Sequence, residues 1–329
     1  TFNTLLPEPG TGPANRVTLE TGSNHYWRTT LGWDSGAGET AYNAGIVADR
    51  DGGFRDDTGY EQIKAFGKLR NELANGILTL SASGSWLDQE TAGFITGVDA
   101  YKDPAVRFSN PNPEAFRKAT SQRLSATWTP TSQGAWDKEY RIFLRHSDME
   151  FLQHFLPGQP LEENSQTSGG LMFMASKDSW KDSRLTLGVD AEVANGKLDQ
   201  FQSGPTAGSA FLMATRPEGQ HYDYSVMSYS IAGYASWQIP LDNDWELRVG
   251  ARAEYLLYDY DNKMLSGNTR DDGTSCMLGG NPIDCLYARP ADRTAGFLNF
   301  SPNIGLLKRL SPRTSLFANL ATGFRAPQA

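Results

Sequence analysis

From Glu246 to Leu257 every second residue is apolar: Leu247, Val249, Ala251, Ala253, Tyr255 and Leu257 face one way, and Glu246, Arg248, Gly250, Arg252 and Glu254 the other. A helix would scatter these charges around its circumference, whereas an extended strand collects them on one side. The stretch Arg184 to Val193 repeats the pattern, with Leu185, Leu187, Val189, Ala191 and Val193 opposite Arg184, Thr186, Asp190 and Glu192. Similar strands are expected at Gln122–Trp128, Glu139–His146, Leu78–Trp86 and Ser228–Ile239. Each has or approaches the roughly 9 to 11 residues that a tilted strand needs to cross a bilayer. The apolar faces carry no charge, as a lipid-facing wall requires, because a Lys or Arg near the midplane costs roughly 2 to 4 kcal/mol.

The longest run of apolar residues and glycine, Gly169 to Ala175, is seven residues, against the roughly 20 of a membrane-spanning helix. The connections sort by length. Short turns are expected at Ser35–Glu39, Asn75–Gly76, Thr131–Asp137, Ser179–Asp182, Pro240–Asp244 and Ser311–Arg313. Between them lie long segments at about Asp49–Gln62, Asp88–Lys118, Met149–Ser168, Gln202–Tyr222 and Asp259–Ala295. Short turns on one rim and long loops on the other describe an all-β, antiparallel transmembrane barrel with periplasmic turns and extracellular loops. Trp27, Trp33, Trp86, Trp128, Trp237 and Trp245 fall at expected strand ends, where an interfacial girdle places amphipathic rings. A mean hydropathy of −0.49 then follows from alternation, since only half of each strand meets lipid.

A net charge of −8 gives no electrostatic reason to bind nucleic acid. The chain starts at Thr1 without a basic or apolar leader, so any targeting signal is expected upstream. About 13 strands are expected, an odd number where single-chain bacterial barrels are even. An incomplete barrel with further strands after Ala329 is the expectation.

The last stretch, Ser315 to Gln328, contains Gly323-Phe324-Arg325-Ala326-Pro327, which resembles a segment of TonB-dependent outer-membrane receptors. Thr1 to Pro9 resembles the last plug strand of that family, and Val17 to Gly22 its first barrel strand. Arg50 to Asp57 is similar to the turn after its third strand, and Phe300 to Leu306 to its Ser-Pro-x-x-Gly-Leu strand. The resemblance covers essentially the whole chain. It implies a plug remnant and linker at 1–14 and, at 15–329, the first part of a barrel of roughly 22 strands with a plugged lumen. It further implies a bacterial outer-membrane receptor that takes up a scarce nutrient, by default a ferric siderophore or other iron complex. Its partners would be outer-membrane lipid and, through a region upstream, the TonB-ExbB-ExbD energy-coupling system. Haem, cobalamin and glycans are other cargoes of the family, and no cofactor is implied.

No enzyme motif survives inspection, and His25, His146, His154 and His221 lack metal-ligand spacing. A barrel hydrolase using His154 and Asp148 is the enzymatic alternative. The acidic, aromatic segment Met149 to Gln166, with Glu150, Phe151, His154, Phe155, Glu162 and Glu163, reads either as a cargo-contacting loop or as a solvated loop packing its own aromatics. Tyr222, Tyr224, Tyr258 and Tyr260 offer flat stacking surfaces beside other loops, or belong to a girdle. Arg325 reads as a structural residue before a cargo ligand. Cys276 and Cys285 share one long loop; in an oxidising compartment they read as a local disulfide, with two free thiols as the alternative. Such a bridge would contribute somewhat under about 3 kcal/mol. Two other classes stand beside the receptor: a passive porin with an open lumen, against which the plug-like start speaks, and a soluble all-β adhesion or carbohydrate module.

Overall fold

A computed structural model describes residues 8–10, 12, 14–36, 38–131, 134–242 and 244–326. Strands run in chain order as β1 (Asn15–Thr21), β2 (Trp27–Ser35), β3 (Thr40–Asp51), β4 (Tyr60–Leu73), β5 (Gly76–Glu90), β6 (Phe116–Pro130), β7 (Asp137–Leu152), β8 (Leu161–Asp178), β9 (Arg184–Gln202), β10 (Gly219–Leu241), β11 (Trp245–Asn262), β12 (Cys276–Leu278), β13 (Asn281–Ile283), β14 (Arg293–Ser311) and β15 (Thr314–Ala321). Two short helices, α1 (Pro104–Arg107) and α2 (Ala210–Thr215), sit in the loops. β12 and β13 form a small separate hairpin; the other 13 strands make one sheet in sequence order with antiparallel neighbours. The sheet does not close on itself, and β1 and β15 are its edges. No helix among the described residues is long and apolar enough to cross a membrane.

The alternation seen in the sequence becomes two faces. Leu144, Leu171, Val189, Val193, Ile231, Tyr255 and Leu298 are exposed on the outer face, while the charged residues between them meet on the inner one. There Arg145 pairs with Glu192, and Arg252 bridges Asp190 at 2.5 Å and Glu254 at 3.3 Å. Charges on the concave side and apolar side chains on the convex side are the distribution of a wall between lipid and an aqueous lumen. Trp27, Trp33, Trp86, Trp237 and Trp245 are exposed on the outer face toward its margins.

Short connections line one rim and the long loops the other, as the sequence led us to expect, except that β1 and β2 are joined on the long-loop rim by residues 22–26 alone. The strands, however, are longer than the apolar alternation. β7 continues to Leu152 and β8 starts at Leu161, so the segment Met149–Gln166 is mostly paired strand with a loop of only Gln153–Pro160. The last two loops shrink similarly, to 203–218 and 263–292. Backbone pairing does not need an apolar outer face, and above the lipid belt the strands continue as a sheet whose outward side is polar.

Candidate functional site

On β10 the large apolar side chains of the outer face run from Trp237 to Met227, and on β11 they end at Leu257, opposite Tyr229. Residues 219–226 and 258–262 therefore stand beyond the lipid belt, toward the long loops. Here the inner face carries Tyr222 and Tyr224 of β10 and Tyr258 and Tyr260 of β11. A bulge between Gln220 and Tyr222 resets the register so that Tyr222 lies opposite Gln200 of β9. Tyr224 and Tyr260 meet with ring centroids 5.1 Å apart. Tyr258 meets Phe297 of β14 edge-on at 6.1 Å, and Tyr222 meets Tyr287 of the last loop in the same way at 6.1 Å. The four tyrosines singled out in the sequence thus share one surface. Burial, then the neighbouring Glu162 carboxylate, raises the Tyr224 phenol, so it is a protonated donor at neutral pH.

A second aromatic group forms on β6 and β7. Arg117 lies opposite Phe151, its guanidinium 4.7 Å from the ring centre. Phe155 packs 5.9 Å from Phe151, and His154 meets Phe155 edge-on at 5.6 Å. His154 also lies 3.4 Å from the Thr91 hydroxyl of another loop. Of the acidic residues expected to face the mouth here, only Glu162 has the inward parity. Glu150 and Glu163 share the parity of the outward Leu144 and Leu171 and point away from the lumen.

Buried amides connect the two groups. Gln153 donates to Glu162 at 2.5 Å, and Gln200 donates to Gln153 at 2.8 Å. Gln200 in turn faces Nδ1 of His221 at 3.3 Å. Arg117, Gln153, Gln200, Phe297 and Tyr287 were not singled out in the sequence, whereas Glu162 was. Inward parity at the outer end of each strand is the signal that finds Arg117, Glu162, Gln200 and Phe297; Gln153 and Tyr287 lie on loops and follow no period.

The loops over this wall are tied together. Arg55 donates to the carbonyls of Gly93 and Ser109, both at 2.9 Å, joining two loops on the β3–β6 side. On the other side a disulfide joins Cys276 and Cys285, whose Cα atoms are 5.3 Å apart, and both are buried with Tyr287 against Tyr222 and Ile283. Gly323 to Ala326 follow the end of β15 at Ala321. Arg325 is exposed there. Pro327 and the plug-like Thr1 to Pro7 lie outside the described residues. Glu8 reaches Lys68 at 2.5 Å, and the Asp34 carboxylate accepts from the Gly10 and Gly12 amides. No group of three or more His, Cys, Asp or Glu residues is placed to hold a metal ion among the described residues.

Residues 54–329 match the family model described as TonB dependent receptor-like, beta-barrel. No curated protein matches the chain in sequence. Among solved structures, the open form of the ferric-catecholate import receptor Fiu from E. coli is similar, with a TM-score of 0.71 at 14% identity over 96% of this chain and 55% of that one. The ferripyoverdine receptor of the outer membrane of Pseudomonas aeruginosa, bound to ferripyoverdine, gives 0.67 at 13% identity over 95% and 42%. The copper transporter OprC gives 0.66 at 12% over 95% and 46%. The chain spans about half the length of these structures, and at such identities the likeness is one of fold.

Proposed function

The chain belongs to the TonB-dependent receptor family, outer-membrane β-barrels of Gram-negative bacteria, and from that premise we propose that it forms part of a receptor that actively imports a scarce nutrient, most simply a ferric siderophore or another iron complex. In this reading residues 1–14 are the end of a plug and its linker, and 15–329 are the first part of the barrel. Import would draw on the TonB-ExbB-ExbD system through a region upstream of Thr1. The observation that carries the reading is the inner wall at the loop rim, where Tyr224, Tyr260, Phe151 and Arg117 present stacking faces and a cation beside the buried amides Gln153 and Gln200. Flat, partly polar surfaces of this kind suit a large chelate with planar donor groups. Similar folds include receptors for ferric catecholates and ferripyoverdine and a copper transporter, so metal complexes are the cargo class to test first.

Binding of a panel of ferric siderophores by the full-length protein, read by quenching of its intrinsic fluorescence, tests this. Replacing Tyr224 and Tyr260 together by alanine is expected to weaken the preferred complex about tenfold, the scale of one lost stacking contact. A steady large single-channel conductance in planar bilayers, with no binding of any metal complex, would instead establish a passive porin.

A further inference from the structure

We propose that His221 is a pH-sensitive latch that fastens the loop 263–292 to the rim of the sheet and releases it when the imidazole takes up a proton. The latch acts on the loop's attachment alone, whatever the receptor carries.

His221 stands at the outer end of β10, beside the bulge and beyond the lipid belt, and is 2% exposed. Tyr287 of the loop stacks on it with ring centroids 3.9 Å apart. The Tyr287 hydroxyl is 2.7 Å from His221 Nε2, and Nδ1 faces the Gln200 side-chain oxygen at 3.3 Å. Burial pushes the Tyr287 phenol well above its ordinary range, so it is a hydroxyl with a proton to donate. The neutral imidazole protonated on Nδ1 donates to Gln200 and accepts from Tyr287, and leaves the Pro217 carbonyl, 3.0 Å from Nε2, without a proton from that nitrogen. Beyond Gln200 the chain of donors continues through Gln153 to the Glu162 carboxylate.

A second proton on Nε2 disturbs this in two ways. The nitrogen stops accepting, so the buried Tyr287 hydroxyl loses its acceptor, while the new N–H turns to the Pro217 carbonyl at 3.0 Å. The imidazolium also adds a positive charge where Arg216, from the loop preceding β10, and Arg289, from the same loop as Tyr287, already face it. Asp271, exposed on that loop, is the carboxylate that acts in the opposite direction. Gln200 of β9 and Tyr222 of β10 complete the surroundings and bring no negative charge. Burial first, and then the two arginines, lower the His221 pKa from the ordinary histidine value, against the opposing Pro217 carbonyl. A histidine held neutral when docked and free to titrate when undocked gives docking full strength above the ordinary histidine range. That strength is lost as the pH falls through the lowered value.

Hydrogen exchange of the full-length protein in lipid nanodiscs, corrected for intrinsic rates, tests the latch. Between about pH 7.5 and about pH 5 the protection of residues 264–290 is expected to fall about tenfold, while 52–59 on the other side of the rim keep theirs. His221→Gln should make the protection of 264–290 independent of pH. Tyr287→Phe should lower it already at neutral pH and leave a smaller acid response. Equal protection at both pH values in the unsubstituted protein overturns the proposal. So does a full acid response in Tyr287→Phe, which decides the matter even if His221→Gln fails to assemble.

Discussion

Arg289 is 2% exposed and takes its charge into a shell of main-chain oxygens. Its guanidinium donates to the carbonyls of Leu265 at 2.9 Å, His221 at 3.2 Å, Thr269 at 2.6 Å and Arg270 at 3.0 Å, and to the Thr269 hydroxyl at 3.1 Å. Oriented carbonyl dipoles do here what a carboxylate would do elsewhere, and the planar fork reaches several of them at once. Arg289→Ala strands these oxygens without a donor, each at a cost of about 1 to 3 kcal/mol if it stays dry. Water can reach some of them once the loop loosens, so opening of 263–292 should become easier by about 3 kcal/mol in all. Limited proteolysis under native conditions reads this directly: Arg289→Ala should be cut within 264–290, Arg289→Lys less so, and exposed Arg293→Ala not at all. Resistance of Arg289→Ala equal to that of the unsubstituted protein would remove Arg289 from this role. The sequence offered Cys276 and Cys285 as a marker of the loop, because cysteine has few alternative uses in an oxidising compartment. Arg289 carried no such mark, since its partners are backbone atoms that any residue type supplies.

At the level of the strand, apolar alternation located six of the 13 wall strands but not their ends. β7 was visible from Glu139 to His146 and in fact runs from Asp137 to Leu152; β10 was visible from Ser228 to Ile239 and runs from Gly219 to Leu241. In the missing lengths the outward face turns polar, with Asp148 and Glu150 on β7 and Asp223 and Ser225 on β10, while apolar and aromatic side chains move to the inward face, so the alternation changes phase as the backbone ladder continues. This is also why Phe151, Tyr222 and Tyr224 were legible as aromatics near loops, but their common inward face was not. The same extension creates a row on the outward face in which Glu150, Glu163, Asp199 and Asp223 lie directly opposite one another on β7 to β10, with Lys118 of β6 opposite Glu150. Like charges in facing positions repel, and the site is exposed enough for salt to weaken the effect. Glu163→Gln is accordingly expected to stabilise the outer ends of these strands by about 0.3 kcal/mol at low ionic strength, within the range for cross-strand pairs. Urea unfolding at low and high salt checks it. A gain that persists unchanged at high salt would mean the benefit is not electrostatic.

For the whole molecule, sorting of connections by length and charge-free alternate faces were sufficient to specify a membrane wall, because both are imposed by the solvent rather than by any particular partner. Lipid admits no charge on one face, and only strands closed into a barrel leave no edge unsatisfied. Beyond the resemblance of short motifs, the cargo was not legible, because a binding surface assembled from strand ends and loops has no required residue types. The wall assignment makes a demand at two adjacent positions of β10. Ile231 is 55% exposed on the outer face, whereas Ser230 faces inward opposite Glu192. Ile231→Lys should cost roughly 2 to 4 kcal/mol, the penalty for a cation on the lipid face near mid-depth. Ser230→Lys places the same charge in the polar lumen beside a carboxylate and should leave stability unchanged within about 0.5 kcal/mol. Reversible urea unfolding in lipid vesicles measures both. A soluble sheet with water on the outer face would tolerate Ile231→Lys as a surface substitution, so equal behaviour of the two variants would refute the membrane orientation of the entire sheet.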